Sequence, residues 1–249
     1  MTSLGISVED RQGVRHVVLD RPEKKNALTT AMYAALGDAV ASAAEDGIGA
    51  LLLSARGDTF TAGNDLRDFL EQPPHGDDAP VFRFLFGLVG TDVPVIAAVR
   101  GNAVGIGTTM LLHCDLVYAA PSARFKVPFV DLGLVPEAGS SVLLQRRIGR
   151  ARAGAALYLG ETITAEQAYA DGIVTKIVAD DALGAEADAA ARAIAAKPRE
   201  AVRETKRLVN YDREEIVAAI GRESSAFRAR LASDEARAAM SAFFQRARG

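Results

Sequence analysis

The chain has 249 residues, 49% hydrophobic and 24% charged, which suits one large globular domain or a domain with a helical appendage. A formal net charge of −3 with acids and bases interleaved offers no positive field to a nucleic-acid backbone, and one cysteine, Cys114 inside the apolar "MLLHCDLVYAA", excludes a disulfide framework and reads as inert core. The start "MTSLGISVEDRQG" has no apolar signal core and no run of 18 apolar residues follows, so the expectation is a cytoplasmic protein without a membrane span.

In chain order, "GVRHVVLD" (13–20) predicts a strand from its branched apolar residues, and "LTTAMYAALGDAVASAAED" (28–46) has helical spacing with Thr29 or Thr30 as its cap. "GALLLSA" (49–55) reads as a buried strand. "EQPPHGDDAP" (71–80), rich in Pro, Gly and Asp, reads as a mobile surface loop. A helix near 80–90 ("PVFRFLFGLVG"), a strand over 93–101 ("VPVIAAVRG"), a helix over 106–114 ("IGTTMLLHC") and a strand over 115–120 ("DLVYAA") come next. This alternation implies right-handed crossovers in a parallel-rich α/β sheet. Beyond "GIVTKIVAD" (172–180) the alanine- and arginine-rich remainder predicts three or four helices broken near Pro198, so the division expected is a core over 1–180 and a helical region over 181–249. Such helices pack on the body of the domain or on a partner.

Metal, disulfide and triad chemistry find little support. His16, His75 and His113 fall in a strand, a loop and an apolar helix without metal-site spacing, and no H-E-x-x-H, C-x-x-C, Walker loop or G-x-S-x-G elbow occurs. Two glycine-bearing strand exits stand out instead: "DTFTAGNDLRDF" (58–69) and "VRGNAVGIGTTM" (99–110). Turns of this kind leave backbone N–H groups unclaimed at the positive end of a helix; the plainer reading is that the glycines only permit tight turns. "LVPEAGSS" (134–141) then puts a lone acid, Glu137, just ahead of a helix start, where it is either a partner of the helix dipole or a base.

Taken together, "RPEKKNAL" (21–28), "FTAGNDL" (60–66), "AVRGNAVGIG" (98–107), "CDLVYAAPSARF" (114–125), "PFVDLGLVPEAGSS" (128–141) and "GETITAEQAYADGIVTKIV" (160–178) resemble the crotonase, or enoyl-CoA hydratase/isomerase, superfamily in order and spacing. The resemblance implies the crotonase (ClpP-like) fold of repeated ββα units, C-terminal helices that make a homotrimer or a hexamer of two trimers, an acyl-CoA thioester as substrate, and no separate cofactor or metal. It carries the two oxyanion-hole donors onto the backbone N–H groups of Asn64 and Ile106. It places the nucleotide half of CoA against Lys24 or Lys25, Ala27, Leu28, Ala62, Asp65 and Leu66, with Phe69 and Phe129 shaping an acyl tunnel.

The two glutamates of the family's hydratases fall on Thr109 and Phe129, neither of which can activate water as a carboxylate does. Peroxisomal-type Δ3,Δ2-enoyl-CoA isomerases, by the same resemblance, keep one glutamate in a segment similar to "LGLVPEAGSS", which implies that Glu137 is the base. A hydratase or other crotonase reaction run from Glu137, and a non-catalytic acyl-CoA-binding protein, stand as alternatives. Thr109 carries no obligatory proton in this reading, so Thr109→Ala is expected to leave turnover within about tenfold.

Overall fold

The computed structural model describes residues 2–3, 5–74, 76, 78–210 and 212–246; His75 lies outside them. Strands β1 (Thr2–Ser3), β2 (Ile6–Arg11), β3 (Val14–Leu19), β4 (Ala50–Ala55) and β5 (Val95–Val99) precede β6 (Asn102–Val104), β7 (Leu116–Ala119), β8 (Arg124–Lys126), β9 (Ile163–Thr164) and β10 (Lys176–Ile177). Helices α1 (Thr30–Ser42), α2 (Leu66–Glu71), α3 (Pro80–Gly90), α4 (Ile106–Thr109) and α5 (Ser140–Leu159) are followed by α6 (Ala165–Ala170), α7 (Leu183–Ala195), α8 (Arg199–Val209), α9 (Arg213–Leu231) and α10 (Asp234–Arg246).

The main sheet runs β1-β2-β3-β4-β5-β7-β10, antiparallel at β1/β2 and β2/β3 and parallel from β3 onward. Its central strands are apolar on both sides, as a parallel sheet covered on two faces requires. Val17, Leu19, Leu51, Leu53, Val95 and Ala97 join the core beneath α1 and α3. The alternate residues Val14, Ala50, Leu52, Ile96 and Ala98 meet Leu183, Ala187 and Ala191 of α7. Thus α7, on the C-terminal side of residue 180, packs directly on the sheet.

Where the spacing predicted a helix over 28–46, α1 covers Thr30–Ser42, and Thr29 is its cap, its hydroxyl accepting from the Met32 N–H at 3.3 Å. The helix expected over 106–114 is only α4, one turn long, continued by a 3-10 turn over Met110–His113. The Thr108 hydroxyl donates to the Ala103 carbonyl at 2.5 Å and accepts from the Lys126 N–H at 3.1 Å, which ties the turn to the neighbouring strands. The chain then closes tightly, with Cys114 N–H donating to Leu111 O. An unbroken buried apolar run has no polar face to report this change of pitch.

A second sheet of three short strands, β6-β8-β9, carries the exits of the main sheet. One parallel bridge, Thr61 to Ala103, ties the two glycine-bearing segments together. The C-terminal helices close over this end of the molecule. α9 packs on α3 and α5, Phe227 meets Phe69 edge-on at 5.9 Å, and α10 lies against the turn at Val130–Leu132. No helix among the described residues is long and apolar enough to cross a membrane.

The turn leaving β5 tolerates no side chain. Gly101 has φ +61°, and a Cβ there would stand 1.9 Å from the Asp58 carbonyl oxygen. Gly101→Ala is expected to lower stability by at least about 2 kcal/mol, from backbone strain plus a clash with unyielding main chain. Urea unfolding checks it; a loss below about 0.5 kcal/mol would show that the two segments part without cost.

Candidate active site

The site begins with the crossing of the two glycine turns. Thr61 N–H donates to Asn102 O and Val104 N–H to Thr61 O, both at 3.0 Å, so the segments run side by side in parallel register. Three residues beyond the bridge lie Asn64 on one segment and Ile106 on the other. Gly63, at φ +92°, is so close to the second turn that a Cβ would stand 2.8 Å from Val104 O. Gly105 adopts φ 57°, ψ −120°, a conformation open to glycine, which turns the chain into α4 and makes Ile106 its first residue. Neither the Asn64 nor the Ile106 backbone amide has an acceptor among the described residues.

Glu137 is bonded to the second of these turns. Its side chain is buried, and the Thr109 hydroxyl, one helical turn beyond Ile106, donates to Oε1 at 2.5 Å. Oε2 has no hydrogen-bond partner among the described residues. On the other side the fully buried Tyr33 donates its hydroxyl to Asn64 Oδ1, leaving the Asn64 backbone amide uncommitted. Burial and, after it, the charge of Glu137 push the Tyr33 phenol well above its usual range, which puts the two groups within electrostatic reach.

The loop that presents Glu137 is held from two directions. Ala138 (φ +59°) and Gly139 (φ +71°) are both left-handed, so the chain swings out before α5 begins. His113 is half-buried, its basicity lowered to about 4 chiefly by desolvation, and as a neutral ring it donates from Nε2 to the Ala138 carbonyl at 2.7 Å. From α9, the Glu223 carboxylate accepts the Gly139 N–H at 2.6 Å, the Ser141 N–H at 2.9 Å and the Ser141 hydroxyl. The acid that satisfies the start of α5 is therefore Glu223, and Glu137 is spare for other work.

Burial raises the Glu137 carboxyl from 4.5 to about 8; the Thr109 hydroxyl pulls it back and the Glu223 charge adds to the rise. Phe129 is buried, its Cε1 4.0 Å from the Cβ position of Gly105, so the second hydratase-glutamate position is an apolar wall beside the turn. A cavity of about 320 Å³ opens next to Tyr33, lined also by Thr30, Phe69, Pro73, Pro74 and Val81. A larger one, about 820 Å³, lies behind His113 among Leu143, Lys206 and Ile216, and does not contain Glu137.

The other residues singled out in the sequence form one strip. Ala62 N–H donates to Lys25 O, Leu28 N–H to Gly63 O and Asp65 N–H to Leu28 O, which lays 25–28 along 62–65. Ala27 donates back to Lys24 O, Ala62 is exposed, and Leu66 opens α2 half-buried. Lys25 pairs with Asp58 at 3.1 Å in the open, whereas the Lys24 side chain is exposed and free of partners among the described residues. The Asp65 carboxylate is committed to Arg21 at 2.8 Å and to the first amides of α2. Although burial opposes it, these bonds hold Asp65 below the usual carboxylate range. Cys114 is buried, its thiol pushed up to about 12 by desolvation, which agrees with an inert core role. No cluster of three or more potential metal ligands occurs among the described residues.

Tyr33, His113 and Glu223 had no readable signal as site residues. Tyr33 sits at an ordinary core position of an amphipathic helix. Glu223 lies 86 positions after Glu137, one of three glutamates on a helix that also carries four arginines. For Thr109, the structure supplies what its position in the sequence did not, a partner for its hydroxyl.

The sequence model of the enoyl-CoA hydratase/isomerase family matches residues 9–248. The chain is similar to human enoyl-CoA delta isomerase 2, 34% identical over 247 residues, covering 96% of this chain and 63% of that protein, so it spans just under two thirds of that relative's length. It is also similar to a probable enoyl-CoA hydratase, echA8, of Mycobacterium leprae, 33% identical over 97% of this chain and 95% of that one. Among solved structures, Pseudomonas aeruginosa OdaA superposes with a TM-score of 0.93 at 46% identity, covering 97% of this chain and 99% of that one.

The elevated carboxyl has a consequence for stability. A group protonated in the native state but ionised in the unfolded chain gives the native state more bound protons, so stability falls as pH rises from about 4.5 to about 8. Glu137→Gln is expected to flatten that part of the stability–pH profile and to make the protein relatively more stable at pH 8 than at pH 5. Urea unfolding at the two pH values measures it; identical slopes for wild type and variant would mean that Glu137 is ionised in the native state.

Proposed function

The chain belongs to the enoyl-CoA hydratase/isomerase family, and from that footing we propose that it is a Δ3,Δ2-enoyl-CoA isomerase with Glu137 as its single acid–base group. The observation that carries the reading is a buried carboxylate with Oε2 without a partner among the described residues and Oε1 held by Thr109, on the same helical turn as the Ile106 amide, which like the Asn64 amide across the bridge lacks an acceptor there. The isomerase name of the human relative agrees with it.

In this mechanism the thioester carbonyl oxygen sits between the Asn64 and Ile106 N–H groups. Glu137 takes the C2 proton of a 3-enoyl thioester, and the electron pair spreads into a dienolate whose oxygen the two amides stabilise, a fixed donor being worth about 3 to 4 kcal/mol of barrier. The protonated carboxyl then returns its proton at C4, leaving the double bond between C2 and C3. Atoms and charge balance with one group acting first as base and then as acid. A carboxyl near 8 suits both halves better than an ordinary one near 4.5, because the proton is neither too hard to take nor too hard to give back.

Hydration would also have to deliver water to C3. Here the positions that would manage that water are Thr109, already donating to Glu137, and Phe129, an apolar ring. A purely binding role leaves the cost of burying a carboxylate without explanation. For the nucleotide, the strip 24–28 against 62–66 is the proposed CoA surface, with Lys24 the better-placed cation because Lys25 already has Asp58. Leu208 and Val209 at the end of α8, 77% and 66% exposed, together with the exposed Tyr158 and Leu159 of α5, are assigned to contacts between copies in a trimer or a hexamer made of two trimers. Light scattering that returns a monomer at micromolar concentration would remove that assignment.

With 3-enoyl-CoA and 2-enoyl-CoA as separate substrates, the expected product of the first is the 2-enoyl isomer, with little 3-hydroxyacyl-CoA from either. Glu137→Gln should lower kcat by about 10² to 10⁴ with CoA-thioester affinity retained. The wild-type kcat/KM should climb about tenfold per pH unit and level off near pH 8, where free Glu137 loses its proton. A variant that isomerises and exchanges the C2 hydrogen at the wild-type rate would overturn the assignment.

A further inference from the structure

Thr109 was the one hydroxyl at a position where the hydratases carry a carboxylate, and its sequence reading gave it nothing to do. It is fully buried, its Oγ1 donates to Glu137 Oε1 at 2.5 Å, and it lies at the C-terminal end of the same single helical turn that begins with Ile106. That turn is itself immobilised: Thr109 N–H donates to Gly105 O at 3.0 Å and Thr108 bonds to Ala103 and Lys126. We propose that Thr109 is a positioning residue, which occupies Oε1 so that Oε2 alone faces the substrate and which sets the base at a fixed offset from the Ile106 amide. The inference rests on the isomerase reading above for its catalytic meaning, but the placement of Glu137 by Thr109 can be measured without substrate.

The geometry excludes the simplest competing roles. The loop is already held by His113 at Ala138 and by Glu223 at Gly139 and Ser141, so Thr109 is not needed to keep the backbone in place. The ionisable groups facing Glu137 are Glu223 from α9 and Tyr33 from α1, while His113, neutral, faces the next carbonyl. Of these contacts only Thr109 offers Glu137 a hydrogen atom, so it alone favours the ionised form. A carboxylate freed from it can rotate about its last torsion, which is broad and nearly two-fold, and present either oxygen or neither.

Thr109→Val keeps the shape and removes the donor, while Thr109→Ser keeps the donor and removes the methyl. The expected result for Val is a kcat about 10- to 100-fold lower at little-changed KM, the usual cost of misplacing a reacting group, with the limb of the kcat–pH profile moved to higher pH. The bond to Glu137 thus replaces the expectation, drawn from the sequence alone, that losing this hydroxyl costs no more than about tenfold. Ser should stay within a few-fold of wild type at the wild-type pH limb. In substrate-free protein, difference infrared titration against Glu137→Gln should show the Glu137 carboxyl losing its proton at higher pH in Thr109→Val than in wild type. Should Val fail to fold, Thr109→Ala is titrated in the same way. An unmoved titration together with unmoved kcat overturns the proposal, as does a Ser variant as impaired as Val. If the titration moves while wild-type protein turns over no enoyl-CoA, the isomerase reading fails and the placement by Thr109 stands.

Discussion

Everything at the site depends on two main chains approaching with no side chain between them. At the Thr61–Ala103 bridge the exits of β4 and β5 come within one hydrogen bond of each other, and Gly63 passes so near Val104 O that a methyl group would have nowhere to go. Sheet hydrogen bonds use every other amide along such a pair; the turn that follows releases the next ones. Asn64 and Ile106 are the residues at which both segments leave the ladder together. Two donors are thereby aimed by main chain already fixed at the bridge, with no side-chain torsion left to restrict, and this is what a site for a developing oxyanion needs. The flanking residues serve that approach. Asp65 caps α2, Arg21 holds Asp65, and Thr108 stitches α4 to β6 and β8.

Around that crossing the molecule divides labour between two acids. A helix start attracts an acid because its first amides lack acceptors, and Glu137 stands at just such a start. Yet Glu223 reaches across from α9 and takes those amides, so the electrostatic attraction is discharged by a residue that comes from the far end of the chain. Glu137 then has burial working against its charge and one hydroxyl working for it. The outcome is a carboxyl whose proton is exchangeable near neutrality, where an ordinary surface acid would be fully ionised. The same arrangement makes α9 part of the site: a C-terminal helix fixes the loop that carries Glu137.

How much of this could be read from the sequence divides along a physical line. Strands β3, β4, β5 and β7 and helices α1 and α3 announce themselves because their burial follows a period of the chain, and the glycines at 63 and 105 because few other residues accept those backbone angles. Glu137 was visible as an isolated acid between a proline and small residues. The short strands β6, β8 and β9 were not visible, since two or three residues carry no period. Nor was the break from α4 into a 3-10 turn, which depends on where the Thr108 hydroxyl finds acceptors. The contacts of Tyr33, His113 and Glu223 were out of reach for a different reason. Each is a long-range pairing between residues whose types are ordinary for their own elements, and only the fold brings them together.

The position of Thr109 shows why matching a residue to a family's catalytic position is incomplete as an argument. Reading it as the position of a hydratase glutamate says what a threonine does not supply, a carboxylate to handle water, but is silent on what the threonine does. In a buried site an unpartnered hydroxyl costs free energy, and although Ser140 Oγ bears that cost, Thr109 Oγ1 does not. The partner the threonine finds is Glu137. A second carboxylate at 109 would repel an ionised Glu137 and drive its proton affinity still higher; a hydroxyl donates to it and draws that affinity down. In the proposed reaction, a hydroxyl rather than an acid at 109 therefore also lowers the barrier to ionising Glu137, so that a single carboxyl can both take a proton and give it back.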